Sequence, residues 1–200
     1  MTKEDEYKYI FKVCLIGSGG VGKTCMVRRL CFDTFSLNTQ LTVGIDFYTY
    51  DFPFTINGID TKIRLSIWDF GGQERFQPLF RYYINGANGI FLVFDLTQIE
   101  SLVNLDFWYD KLVEFNFADR PIILVGSKFD LIDQTDNPFI LDESLINDSI
   151  ERYAVKSYTK TSSKDNINIQ NIFKEMAKEI LVFHEFDIEE NKEVFTRRVF

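Results

Sequence analysis

Residues 17–24 read Gly-Ser-Gly-Gly-Val-Gly-Lys-Thr. Glycines at this density let a backbone curl until its N–H groups point inward, which is how a loop holds phosphate oxygens. A helix starting near Lys23 would add its positive N-terminal dipole at the same place. The Lys23 ammonium can bridge β- and γ-phosphates. The Thr24 hydroxyl can ligate Mg²⁺, a hard cation that takes oxygen ligands. The candidate nucleotide contacts are therefore Gly17, Ser18, Gly19, Gly20, Val21, Gly22, Lys23, Thr24 and the adjoining Cys25. Without a ligand the same residues are only a Gly-rich turn before a helix. The loop alone does not distinguish ATP from GTP.

A second cluster is Trp68-Asp69-Phe70-Gly71-Gly72-Gln73-Glu74. Asp69 ends an apolar run, where a carboxylate can hold an Mg²⁺-bound water. Gly72 offers a backbone N–H that can approach a γ-phosphate closely, and Gln73 can orient an attacking water. Seen alone, the stretch is equally a strand-ending turn with a solvated Gln.

The base is addressed by Ser127-Lys128-Phe129-Asp130. Guanine presents two donors on one edge, N1–H and the N2 amine, and a carboxylate at Asp130 accepts both. Adenine offers an acceptor there and would leave the buried carboxylate unpaired, a costly mismatch. Lys128 can lay its aliphatic stem over the base. In Thr161-Ser162-Ser163-Lys164 the backbone N–H of Ser163 can donate to guanine O6. The same stretch also reads as a helix-capping loop, and the two roles are compatible.

These residues need elements to hold them. Lys8–Ile16 is an apolar run stopping at Gly17, so it reads as a buried strand, and residues 23–32 read as a helix. Ile45–Ile56 and Ile63–Trp68 read as strands around Asn57-Gly58, a hairpin signal. Ile90–Asp95 and Ile122–Val125 read as central parallel strands. Leu102, Leu105, Tyr109, Leu112 and Val113 fall on one helical stripe, as do Ile169, Ile172, Phe173, Met176 and Ile180. The alternation predicts an α/β fold: a mostly parallel central sheet, one antiparallel edge hairpin, and helices on both faces. Residues 1–183 form the expected domain. Asp133–Pro138 reads as a polar loop, and 184–200 as a helix extension or a flexible acidic tail.

Composition narrows the function. The net charge of −8 argues against nucleic acid as a partner. The three cysteines, Cys14, Cys25 and Cys31, form no CxxC pair, which fits a reducing compartment and no zinc site. The polar start, Met1-Thr2-Lys3-Glu4-Asp5, is unlike a secretory signal. The longest apolar stretch, Ile90–Phe94, is too short to span a bilayer.

The stretches GSGGVGKTC, LTVGIDF, WDFGGQERF, YYINGANGIFLVFDLT, VGSKFDL and TSSKDNINIQNIF resemble the small GTPases of the Ras superfamily, most closely its Rab branch. They occur in family order over roughly Tyr9 to Phe183. The resemblance implies the P-loop NTPase G-domain fold, GTP or GDP as bound nucleotide, and Mg²⁺. It implies that Thr42 ligates Mg²⁺ and meets the γ-phosphate only in the GTP state. It makes residues near Phe70–Tyr82 a second switch held through Gly72, with Gln73 positioning the hydrolytic water. Phe35 matches an aromatic packing on the base, and Ser162, Ser163 and Lys164 complete the base site. Phe47, Trp68 and Tyr82 match aromatics that meet effector proteins; ordinary core packing is the equal alternative for them. An exchange factor and an activating protein are expected partners, and a monomer is expected. The activating protein would supply an arginine, for which Gly19 leaves room.

Several positions depart from the family pattern. Ser127 stands where Asn is usual, which implies weaker nucleotide binding with guanine preference kept by Asp130. Gly71 replaces the usual Ala and is expected to loosen the second switch. The hairpin is longer, and Phe52-Pro53-Phe54 within it is either an added contact surface or hairpin packing. No cysteine follows Cys31, residue 2 is Thr, and no polybasic run is present. The expectation is therefore no direct lipid anchor, a cytoplasmic location, and any membrane association through a partner.

The resulting expectation is a guanine-nucleotide switch that hydrolyses GTP slowly. The alternative is a GTP-binding scaffold with little or no hydrolysis, against which Gln73 and Gly19 argue. A phosphate-loop kinase or ATPase is a third class, opposed by the Ser-Lys-Phe-Asp stretch.

Overall fold

The computed structural model describes residues 9–38, 40–132, 143–186 and 188–189. Strand β1, Tyr9–Ile16, alternates toward full burial and lies between β3, Ile59–Phe70, and β4, Gly89–Asp95, pairing parallel with both. On one side follow β5, Ile122–Ser127, and β6, Ser157–Lys160, again parallel. On the other side β2, Ile45–Ile56, pairs antiparallel with β3. A two-residue β7, Ile188–Glu189, then adds antiparallel to Thr55 and Ile56. The order is β6-β5-β4-β1-β3-β2-β7, a mostly parallel sheet with its antiparallel hairpin at one edge.

The fully buried strands are those read as apolar runs. Every residue of β4 and β5 is buried, as strands covered on both faces require. The hairpin turns at Asn57 and Gly58, whose φ values of 51° and 72° are both positive, the conformation that tight hairpin turns demand. Phe52, Phe54 and Ile56 share the inward face of β2 and are buried. For Phe52 and Phe54 the hairpin-packing alternative is the one realised. Arg64 grips Asp51 across the hairpin with two bonds of 2.7 Å.

Helices cover both faces. Helix α1, Lys23–Phe32, and α6, Ile169–Phe183, close one core with Phe11, Val13, Leu15 and Phe91. The predicted stripe of α6 is buried throughout, joined by Ala177 and Leu181. Helices α2, Phe80–Ile84, α3, Ile99–Val103, α4, Leu105–Glu114, and α5, Glu143–Arg152, bear the other core. The single helix read through Leu102–Val113 is two, meeting at Asn104, and its buried stripe uses Leu105, Trp108 and Leu112. Val113 points outward and is 52% exposed.

Helix α6 ends at Phe183, and the expected helical extension does not form over the described residues. Phe186 instead packs on Tyr9, with ring centroids 4.8 Å apart, and leads the chain to the β2 edge. The predicted loop Asp133–Pro138 and residues 190–200 lie outside the described residues. No helix among the described residues is long and apolar enough to cross a membrane.

Within the buried stripe that docks α6, Phe173 meets Phe91 of the sheet edge-on at 4.9 Å between centroids. Phe173→Ala removes a fully buried ring and is expected to cost about 3–5 kcal/mol, read as a lower urea midpoint.

Candidate functional site

The carboxyl ends of β1, β3, β4, β5 and β6 point to one edge of the sheet, where open α/β sheets hold their ligands. Each motif read from the sequence leaves one of those ends. A cavity of about 370 Å³ opens there. It is lined by the Gly19–Cys25 loop, by Phe35 and Thr42, by Gly71–Gln73, and by Ser127, Lys128, Asp130, Ser163 and Lys164. Gly17, Ser18, Val21, Asp69 and Ser162 are not among the lining residues.

Gly22, at φ 103°, is the residue that turns the loop into α1. Lys23 follows it and is only 5% exposed. Its ammonium donates to the carbonyls of Gly17, at 2.8 Å, and Ser18, at 2.7 Å. Burial lowers its pKa to about 8, partly offset by the negative charge of Asp69. Asp69, at the end of β3, is fully buried. Burial raises its pKa, while hydrogen bonding from Thr24 and the charge of Lys23 oppose the rise.

Three oxygens converge beside Lys23. Thr24 Oγ1 donates to Asp69 Oδ2 at 2.5 Å and lies 2.7 Å from Thr42 Oγ1. Asp69 Oδ1 is buried and makes no hydrogen bond. An orphaned carboxylate oxygen beside two hydroxyls is an all-oxygen donor set, which fits Mg²⁺. Among the described residues no group of three or more His, Cys, Asp or Glu forms a ready-made cage. A cation here would therefore draw its remaining ligands from phosphate and water.

The two loops flanking this cluster close on each other through glycine. A Cβ on Gly72 would lie 1.9 Å from the carbonyl oxygen of Gly17, so only glycine lets this strand end reach the phosphate loop. A Cβ on Gly71 would lie 2.5 Å from the Thr42 carbonyl oxygen, and the Gly71 N–H donates to Gly44 at 2.9 Å. This corrects the expectation that Gly71 loosens the segment: the missing side chain permits a close backbone contact between residues 42–44 and 71. Gln73 Nε2 reaches the Thr42 carbonyl at 3.5 Å. A Cβ on Gly19 would make ordinary contacts with Gln73 and Leu41, at 3.7 and 3.8 Å.

At the other end of the cavity, Ser127 is buried and donates to the carbonyls of Val21, at 2.5 Å, and Phe94, at 2.8 Å. Its short side chain thus reaches the phosphate loop directly. Asp130 is held by Ser162 Oγ at 2.7 Å, with the Lys164 ammonium 3.9 Å from its other oxygen. Ser162 in turn accepts from the N–H of Asp165. Helix α6 starts later, capped at Asn168 without a side-chain bond, so the Ser/Thr stretch braces Asp130 rather than capping α6. Arg29 of α1 fixes this loop by donating to the carbonyls of Ser163 and Lys164 at 2.7 and 3.1 Å.

Phe47 and Tyr82 are 61% and 77% exposed, so neither is core. Trp68 is half-buried; Phe47 meets it edge-on at 4.6 Å, and the Lys12 ammonium lies 3.2 Å from its ring centroid. Sequence reasoning missed Leu37, Gln40 and Leu41, which also line the cavity, because their types carry no chemical signature. It missed Arg29 because carbonyl acceptors leave no trace in sequence.

The Ras family sequence profile matches residues 12–182. Ras-related protein Rab-8A of Bos taurus is 38% identical over 174 residues, covering 87% of this chain and 80% of its own. Ras-related protein RABE1d of Arabidopsis thaliana is 36% identical over 177 residues, covering 88% and 77% respectively. The GTP-binding protein ypt1 of Schizosaccharomyces pombe is 33% identical over 175 residues, covering 88% and 82%. With the profile matching most of its length and these relatives more than 30% identical over most of both chains, the chain belongs to the Ras family and has Rab-like relatives.

Proposed function

We propose that this protein is a guanine-nucleotide switch that binds GTP or GDP with Mg²⁺, hydrolyses GTP slowly, and presents its two flanking loops to effectors according to the nucleotide held. The observation that carries this reading is one cavity lined by a phosphate loop with a buried lysine, a glutamine, and a braced carboxylate at its far end, with an orphaned carboxylate oxygen directly behind. In keeping with its Rab-like relatives, the role proposed is signalling or intracellular trafficking, with an exchange factor and an activating protein as partners.

On this reading the backbone N–H groups of Gly19–Lys23 and the Lys23 ammonium bind the phosphates. Thr24, Thr42 and, through water, Asp69 hold Mg²⁺, which when bound neutralises charge on the β- and γ-phosphate oxygens. Gln73 orients the attacking water, and the Gly72 N–H faces the γ-phosphate. Asp130 accepts from guanine, with Lys128 and Phe35 flanking the base and Ser163 offering its N–H. Catalysis is positioning and electrostatic stabilisation, so the intrinsic rate is slow. An arginine from an activating protein adds about 10³–10⁵ in rate. Loss of the γ-phosphate removes the ligand contacts of Thr42 and of the Gly72 N–H, which frees the two loops from the nucleotide.

Single-turnover assays with GTP and, in parallel, ATP test the reading. Slow GTP turnover without ATP turnover is expected. Tight GTP binding with no turnover, alone or with an activating protein, would favour the scaffold alternative, and ATP turnover would overturn the guanine assignment. Lys23→Ala and Thr24→Asn are expected to weaken GTP·Mg²⁺ binding severely; unchanged affinity in both would refute the site. Gln73→Leu is expected to slow turnover while leaving affinity unchanged.

Lys23 also makes binding pH-dependent. Phosphate raises its pKa from about 8 in the free site, so binding takes up protons as pH rises past that value. Above it, GTP affinity is expected to fall by up to about tenfold per pH unit. Calorimetry at pH 8 in two buffers of different ionisation enthalpy reads the proton uptake. In the nucleotide-free protein the sign is opposite. The unfolded chain binds more protons between about 8 and the ordinary lysine value of 10.5, so Lys23 makes the empty fold gain stability as pH rises through that window.

A further inference from the structure

A buried carboxylate that none of the roles above uses stands behind the base end of the cavity. Asp95 ends β4 and is 1% exposed. One of its oxygens closes the following turn, accepting from the Thr97 N–H at 2.9 Å and the Thr97 hydroxyl at 2.7 Å. The other lies 2.7 Å from the Lys128 ammonium. Its backbone is fixed by Ser101, whose hydroxyl accepts from the Asp95 N–H at 2.9 Å and donates to the Gln98 carbonyl at 2.6 Å. The anchor is therefore held on both its backbone and its carboxylate.

Lys128 is the more exposed partner of this pair. It follows β5 with a left-handed backbone at φ 60°, lines the cavity, and is 33% exposed at the side chain. The sheet register sets Asp95 opposite Ser127, so the carboxylate stands one residue from the lysine it meets. A lysine stem has four rotatable bonds and is entropically costly to fix. A buried carboxylate left without a countercharge is costlier still. Each group thus removes the other's penalty.

We infer that Asp95 is a positioning residue for nucleotide retention: by holding the Lys128 ammonium, it fixes the lysine stem as a wall of the base slot beside Asp130. This rests on the proposed guanine site. The wall is common to both nucleotide states, so its loss affects GDP and GTP alike, unlike a change at Thr42 or Gln73.

The test is the release rate of fluorescent GDP and of a fluorescent non-hydrolysable GTP analogue from the full chain. Wild type is measured first; no binding by wild type overturns the guanine site itself, and this inference with it. Asp95→Asn keeps the shape and the acceptor for Thr97 while removing the charge. It is expected to speed release of both nucleotides by about tenfold, the lower end of the scale for one close ion pair. Lys128→Met is expected to do the same, and Asp95→Asn in the Lys128→Met background to add less than twofold. Unchanged release in Asp95→Asn, or an equally large effect of that change when Lys128 is already Met, would overturn the inference. Lys128→Met leaves the buried Asp95 without its countercharge; should it fail to fold, the double variant, which buries no unpaired charge, is compared with Asp95→Asn alone, and release more than twofold faster in the double variant would overturn the inference.

Discussion

Two opposite charges are buried at the carboxyl edge of the sheet, and each is shifted against its own charged state. Burial lowers the pKa of Lys23 and raises that of Asp69. The ammonium donates to two carbonyls, and one carboxylate oxygen has no hydrogen bond. Burying charge this incompletely satisfied works against folding. On the proposed reading, a polyanion and a divalent cation entering together reverse both shifts, because each meets the residue of opposite sign. Ligand affinity then draws on the same desolvation that burdens the empty fold. The two full cores that flank the sheet supply the stability that tolerates it.

That constraint explains why glycine occurs where the loops meet. Gly72 lies against the phosphate loop and Gly71 against residues 42–44, each at distances no side chain permits. Thr42 Oγ1 sits 2.7 Å from Thr24 Oγ1, so the hydroxyl in the oxygen cluster and the backbone contact at Gly71 belong to one segment. What fills the cluster thus bears directly on where that segment rests. Backbone-to-backbone contacts of this kind have few intermediate geometries, which suits a two-state element.

Much of this was legible in the sequence because the chemistry sits at the ends of strongly patterned elements. The apolar runs of β1, β4 and β5, the Asn57-Gly58 turn and the stripe of α6 all stand out locally. What was not legible depends on partners distant in the chain. Strand β6, Ser-Tyr-Thr-Lys, is half-buried throughout and gives no alternation. Helix α5 has Ile146 as its only buried residue, too little for a stripe. The Ser127 hydroxyl bonds the Val21 carbonyl, 106 residues away in sequence, a contact that no local pattern marks. Gly71 looked permissive from its type alone, whereas the nearby Thr42 carbonyl gives it a steric purpose.

The route from site to surface runs along β3. Asp69 faces the cluster, and its neighbour Trp68 faces outward, because successive residues of a strand point to opposite sides. Across the hairpin, Asp46 pairs with Asp69 and Phe47 with Trp68. The Trp68 carbonyl accepts from the buried Tyr83 hydroxyl, and its ring lies beneath Lys12. Tyr83 adjoins Tyr82, the most exposed of the three surface aromatics. On the proposed reading, then, nucleotide chemistry and effector recognition occupy adjacent residues of one strand. A movement of the β3 backbone at Asp69 would be passed to Trp68, since one peptide plane joins them. Coupling between the site and the aromatic surface needs no long pathway, only the pleat of the strand.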